Sequence, residues 1–252
     1  MTWPKAAGLV CNLIFVLLIA WPVQAQHNVT PHEPESRGSH HHASDHPAAT
    51  GWEGSTEGKA YSEFNHHLAG VFVVLIGLSE LHHALRITAL TWIRLLLPVA
   101  MVVTGIFLMI WSDHDAWPIG PRSFSQTFFG GDWEAVQHKL FGILLLIVGS
   151  IEWLRRIGRL DQFWWRLPLP AFAIVGGLSL FLHSHGAHPS AHKIAVHHAI
   201  MGVMAITAGS SKLVSGRGEA VLCSTPRSRS VWELAWAAFV LLIGIQLLLY
   251  TE

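Results

Sequence analysis

Histidine is the residue type in this sequence that is best suited to chemistry, and three histidines recur within one pattern. The pattern is H-x3-G-x6-G-x2-[E/K], and its copies run from His66 to Glu80, His138 to Glu152 and His198 to Lys212. A neutral imidazole nitrogen is a common ligand of copper and zinc ions. One histidine repeated at the same position of three units therefore predicts a metal site with three imidazoles and an open position.

Other histidines extend this candidate site. His183 and His185 close an apolar run and would form the next shell or the entrance, with His67 and His197 nearby. His114, which lies between Asp113 and Asp115, is a further candidate, whereas this acidic pair is interpreted as a surface feature. The alternative is that these histidines only bind headgroups or neighbouring helices at a membrane surface. The full set of predicted metal ligands is His66, His138, His198, His183, His185, His67, His197 and His114.

The spacing within the pattern places its residues on one helix face. The offsets 0, 4, 11 and 14 all fall on a or d positions of a heptad, which form a single seam. Glycines on such a seam let helices approach closely inside a membrane. Fourteen residues of helix cover about 21 Å, so the histidines and the Glu or Lys residues lie near opposite membrane surfaces.

Glu80, Glu152 and Lys212 end the three copies of the pattern. Two carboxylates and one ammonium on protein-facing seams can neutralise each other in part, which lowers the cost of their burial. A proton relay through Glu80 or Glu152 is the alternative.

The elements that must position these residues are transmembrane helices. Of the 252 residues, 51% are hydrophobic and 13% charged, and the mean hydropathy is +0.41. This composition is typical of a membrane protein. Apolar runs of spanning length occur near 64–84, 89–111, 136–154, 167–183, 194–213 and 231–250.

These runs predict an all-α, polytopic bundle of six transmembrane helices in residues 63–252. The even-numbered runs are also alike, since 93–105 aligns with 165–177. The bundle is therefore interpreted as three repeated helical hairpins, which cover about 63–134, 135–192 and 193–252.

The N-terminal residues resemble a secretory signal peptide, with Lys5, an apolar region and cleavage after Ala25. An uncleaved first helix is the alternative. Residues 26–62 are predicted to be a disordered, His-rich periplasmic linker. Ten Lys and Arg residues flank the loops after the first, third and fifth spans, against five on the other side. The positive-inside rule then places both mature termini in the periplasm of a bacterial inner membrane.

Several classes of function are disfavoured. The formal net charge is zero, which argues against binding to nucleic acid. The two cysteines provide neither a disulfide framework nor a Cys-rich zinc site. The sequence contains no arrangement of nucleophile and base, no phosphate loop and no zinc-protease motif, so an enzymatic activity is unsupported.

The segments "YSEFNHHLAG", "SDHDAWPIGP" and "FLHSHGAH…HHAIMG" resemble bacterial copper-handling membrane proteins of the copper-resistance D type. The resemblance implies copper transport or tolerance in the inner membrane. The expected partners are the bilayer and a metal ion, and a periplasmic metal carrier is a further candidate. Two alternatives remain open. Paired histidines on facing helices also ligate haem, as in a b-type electron-transfer protein, and a non-catalytic assembly or scaffold protein would bind no metal.

Overall fold

The computed structural model describes residues 55–87, 91–182, 190–217 and 226–251, and within these ranges the chain consists of helices joined by turns and irregular loops, without a strand. The predicted signal peptide, the predicted linker up to residue 54, and the candidates His183 and His185 lie outside these ranges. The α-helices are α1 Thr56–Ala84, α2 Leu96–Ile110, α3 Phe124–Phe129, α4 Trp133–Arg156, α5 Pro168–Leu180, α6 Ala191–Arg217 and α7 Pro226–Leu248. Short 3-10 turns, Thr91–Leu95 and Phe163–Arg166, lead into α2 and α5.

Six of these helical segments are long and apolar enough to cross a membrane, as predicted. They contain between 18 and 29 residues each, whereas α3 is a short helix in the loop between the second and third spans. Large apolar side chains such as Leu78, Val103 and Leu242 are exposed on the outside of the bundle. A surface of this kind suits a lipid environment, so the chain is a multi-pass membrane protein.

Local capping explains where the helices begin. The Ser55 hydroxyl accepts a hydrogen bond from the Gly58 amide, and Asp132 caps α4 in the same way. Because Ser55 is an effective N-cap, α1 begins at Thr56. The first helix therefore includes residues 56–62, which were predicted to belong to the disordered linker.

Helices that follow each other in the sequence are not always the closest neighbours in space. The most extensive contacts join α1 with α7, α2 with α4, and α5 with α6, and the α6–α7 contact is also large. The first and last spanning helices are therefore packed together. This pairing closes the bundle around a core that includes Leu97, Leu144, Val148 and Ala237.

The predicted glycine seam lies at the three closest helix pairs. A Cβ atom added to Gly70 would lie 3.0 Å from the Gly244 carbonyl oxygen, and one added to Gly142 would lie 3.0 Å from that of Gly105. At Gly202 the corresponding distance to the Gly177 oxygen is 2.8 Å. The prediction that Gly70, Gly142 and Gly202 lie at helix contacts is confirmed.

The loop between α2 and α4 is ordered by its own hydrogen bonds. Ser123 and Gln126 form a capping box at the start of α3. The Trp117 amide donates a hydrogen bond of 2.9 Å to the hydroxyl of Thr127, which is fully buried. This loop is held against the end of the bundle that carries His66, His138 and His198, which is called the histidine end below.

Candidate functional site

A cavity of about 480 Å³ lies inside the bundle and extends to the histidine end. All six spanning helices and the loop after α2 contribute to its wall. The side chains deepest along the helices are apolar, and they include Ile76, Met101, Leu145 and Phe172. Apart from Thr104 in the middle of α2, the polar residues, among them the histidines, lie toward the helix ends, so the cavity combines a largely apolar floor with a polar rim.

His66 and His198 are neighbours within this cavity. Their ring centroids are 6.4 Å apart with an interplanar angle of 29°. His66 Nδ1 lies 2.8 Å from the Ser62 carbonyl oxygen, one turn earlier in α1, and the ring stacks on Tyr250 at 3.9 Å. His198 is buried in α6. The structure thus brings together two of the three predicted inner ligands.

His138, the third predicted inner ligand, lines the same cavity but is paired with a carboxylate. Its Nδ1 lies 2.7 Å from Oδ1 of Asp113, and Oδ2 of Asp113 lies 3.2 Å from Nζ of Lys139. Ser112 also donates a hydrogen bond to Asp113. The interpretation of Asp113 as a surface residue is therefore wrong, because its side chain is only 13% exposed and belongs to the cavity rim.

The charge state of Asp113 follows from these partners. Burial raises the pKa of its carboxyl, but several partners together lower it by more, the hydrogen bond and the charge from His138 foremost among them. The hydrogen bond from Ser112 and the charge of Lys139 act in the same direction. The pKa consequently lies below its ordinary value, so Asp113 is a carboxylate at neutral pH.

The other described candidates lie beside Tyr250 or at the exposed rim of the cavity. His67 and His197 are outside the cavity wall and contact Tyr250: His67 Nε2 is 2.9 Å from its carbonyl oxygen, and the His197 ring packs edge-on to its ring. Tyr250 itself is fully buried and was not identified from the sequence. His114 lines the cavity rim with an exposed side chain, and its Nδ1 is 2.9 Å from Asp115.

Four of the predicted ligands, His66, His114, His138 and His198, line one cavity, but they do not form a coordination group in this structure. Among the residues that the structure describes, no three His, Cys, Asp or Glu side chains are close enough to hold one metal ion. The three-imidazole shell stays a prediction, as do the roles of His183 and His185.

A second polar cluster, called the ionic cluster, lies at the opposite end of the bundle. Glu80 is fully buried, and its two oxygens accept hydrogen bonds from Arg156 at 2.6 Å, Lys212 at 3.1 Å and the Trp236 indole at 2.7 Å. Because Arg156 belongs to α4 and Lys212 to α6, Glu80 connects the first helices of all three predicted hairpins.

Two further carboxylates complete the ionic cluster. Glu152 binds Arg155 through two hydrogen bonds, of 2.7 and 3.0 Å, and lies 3.3 Å from Arg156. Glu233 lies 2.7 Å from Lys212 and accepts a hydrogen bond from Ser215. As predicted, Glu80 and Lys212 neutralise each other, and they do so through a direct ion pair. The charge of Glu152 is instead neutralised by Arg155 and Arg156. The i,i+4 spacing of Glu152 and Arg156 was the one sequence signal for that contact.

No protein-family model, curated protein or solved structure matches the chain. What bears on function is therefore the chemistry of the cavity and of the ionic cluster.

Proposed function

We propose that this chain is an inner-membrane metal-binding protein that takes up copper or zinc ions at the histidine end for transport or tolerance. The observation that carries the proposal is that His66, His138 and His198, one from each odd-numbered span, line a single cavity. A bilayer penalises polar side chains, so histidines kept inside a bundle call for a specific role. Imidazole donors with a nearby carboxylate suit Cu(II) and Zn(II).

The loose arrangement of the histidines suits a site that exchanges its ion. Structural zinc sites are closed by four ligands, whereas sites that exchange a ligand keep an open position. Here His66 and His198 are 6.4 Å apart between ring centroids, and His138 is held separately by Asp113. Side-chain rotation would have to accompany binding, as expected for an ion that is cargo rather than a permanent cofactor.

The proposal includes the finer architecture predicted from the sequence. The threefold repeat is supported by the three glycine contacts, each of which joins an odd-numbered span to an even-numbered span of a different predicted hairpin. The cation asymmetry supports an orientation in which the histidine end and both mature termini face the periplasm. The linker histidines would then raise the local metal concentration near the cavity.

Haem b is a second candidate, because one observation favours it. A cavity of about 480 Å³ with an apolar floor has the size and character of many cofactor sites, and His66 and His198 lie beside that floor. One haem held by these two histidines would make the chain an electron-transfer protein. A Soret band in the visible spectrum of the purified protein would identify haem directly.

Metal titration of purified protein that lacks residues 27–46 tests the proposal. The deletion removes tail histidines that would mask the cavity site. The protein with this deletion and an unchanged cavity should bind copper or zinc. The same protein with the substitutions H66A/H138A/H198A should lose that binding. His192, which is exposed on α6, provides the matched control, and H192A should bind normally. Equal binding by the triple variant and the wild type would overturn the proposal.

The same titration has an expected pH dependence. A protonated imidazole cannot ligate a metal, and the ordinary imidazole pKa is about 6.5. Affinity should therefore fall as the pH drops below that value, and a pH-independent affinity between about pH 5 and 8 would indicate ligands other than histidine.

A further inference from the structure

Two cavity histidines are held through the same ring nitrogen. Nδ1 of His138 lies 2.7 Å from the Asp113 carboxylate, and Nδ1 of His66 lies 2.8 Å from the Ser62 carbonyl oxygen. A carbonyl or carboxylate oxygen can only accept, so Nδ1 must carry the proton in both rings. In that neutral tautomer the lone pair is on Nε2, which is then the nitrogen able to bind a metal.

We infer that Asp113 is a positioning residue that fixes the tautomer and orientation of His138 for metal binding through Nε2. This inference rests on the proposed metal-binding function. Metal-ligating histidines commonly donate their second ring N–H to a carboxylate, which orients the ring and makes the ligating nitrogen more basic. The Ser62 carbonyl oxygen has the equivalent place beside His66.

The surroundings of Asp113 are built to hold its carboxylate still. Oδ1 accepts from His138, and Oδ2 faces both the Ser112 hydroxyl and Nζ of Lys139. The Lys139 side chain is completely buried, and its ammonium also donates to the Leu108 carbonyl oxygen at 3.3 Å. With both oxygens engaged, the carboxylate presents Oδ1 to the imidazole in one direction.

A purely structural ion pair between Asp113 and Lys139 is the competing explanation, and it dictates the design of the test. Removing Asp113 alone would leave a buried ammonium without its carboxylate, which destabilises a protein whatever the role of His138. The comparison should therefore be made in the K139M background, where no such charge remains. Within it, D113A removes the acceptor for His138, while D113N keeps an oxygen in the same place.

The experiment uses the detergent-solubilised protein from which only residues 27–46 are deleted, with Cu(II) and Zn(II) as probes. Relative to K139M, the D113A/K139M variant should bind either metal about 10- to 100-fold more weakly, and D113N/K139M should recover most of the loss. The electron paramagnetic resonance spectrum of Cu(II) bound to D113A/K139M should resemble that of H138A/K139M, because both lack an oriented His138. A structural role alone would lower the melting temperature without changing this spectrum.

The outcomes separate the two proposals. If K139M and the wild-type chain bind neither metal, the proposed function fails and the inference fails with it. If both bind metal and H138A/K139M weakens binding, but D113A/K139M matches K139M in affinity and spectrum, only the positioning role of Asp113 is overturned. If H138A/K139M binds as K139M does, His138 is not a ligand and the inference is likewise overturned.

Discussion

At the scale of single residues, burial of charge is the feature that distinguishes this protein. Glu80 has no exposed surface, yet its carboxylate oxygens contact an arginine, a lysine and an indole N–H. Each partner comes from a different helix. A buried carboxylate is tolerable only when its hydrogen bonds and its charge are both satisfied, and Glu80 meets both conditions.

The first prediction concerns this carboxylate. Glu80→Gln keeps the size of the side chain but removes its charge, leaving Arg156 and Lys212 with one counterion fewer. The free energy of unfolding should fall by about 3 kcal/mol, near the low end for broken buried pairs, because Glu152 and Glu233 still neutralise part of the charge. The thermal unfolding midpoint in detergent, followed by circular dichroism, measures the change.

Asp161→Asn is the control for this prediction, since Asp161 is an exposed carboxylate in the loop after α4. Its removal should shift the midpoint little, as is usual for surface charges. If E80Q and D161N unfolded at the same temperature, the ionic cluster would not be a stabilising feature of the bundle.

At the scale of elements, close helix approach depends on glycine. In α6, a Cβ atom at Gly202 would lie 2.8 Å from both the Gly177 carbonyl oxygen and a ring carbon of Phe181. A backbone oxygen cannot rotate aside as the end of a side chain can. The pair α5–α6 must therefore separate to accept any larger residue at this position.

Two alanine substitutions on the same helix test this requirement. Gly202→Ala should destabilise the protein by about 1–3 kcal/mol through overpacking. Gly216→Ala should be neutral or slightly stabilising, because no packing neighbour among the described residues lies within 4 Å of the added Cβ and alanine favours helix. Thermal unfolding of both variants in one detergent gives the comparison, and a loss of stability in G216A but not G202A would contradict the contact.

At the scale of the whole molecule, polarity is arranged in layers. The ionic cluster and the histidine cavity lie at opposite ends of the bundle, and apolar residues such as Leu97 and Val148 occupy the buried middle. With an even number of spans, both ends of the described chain face the same side of a membrane. Under the proposed function, the cation asymmetry predicts that this side, with the histidine end, faces the periplasm.

Reporter fusions test this orientation. Alkaline phosphatase, which is active only outside the cytoplasm, should be active when fused after Glu252 and inactive when inserted after Arg159, in the loop between α4 and α5. A green fluorescent protein fusion at the same two positions should show the reverse pattern. An active phosphatase after Arg159 would place the ionic cluster, rather than the histidines, on the periplasmic side.

The sequence by itself determined the six spans and the glycine contacts. Spans can be predicted because a helix needs a continuous apolar run of a certain length to cross a bilayer, and such a run is visible in the sequence of that segment alone. The glycine contacts could be predicted because Gly70, Gly142 and Gly202 occupy the same position of the repeated pattern. The spacing alone therefore places each of them on the helix face that contacts another helix.

Only the tertiary structure decided which helices pair and which polar groups meet. Asp113 reaches His138 across 25 residues, and Arg156 reaches Glu80 across 76. Periodicity indicates the face on which a residue lies, but a partner depends on how distant helices rotate and pack against each other. For that reason the sequence could predict that the three histidines lie at one end of the bundle. It could not predict that the Asp113 carboxylate contacts His138, because that contact depends on the folded chain.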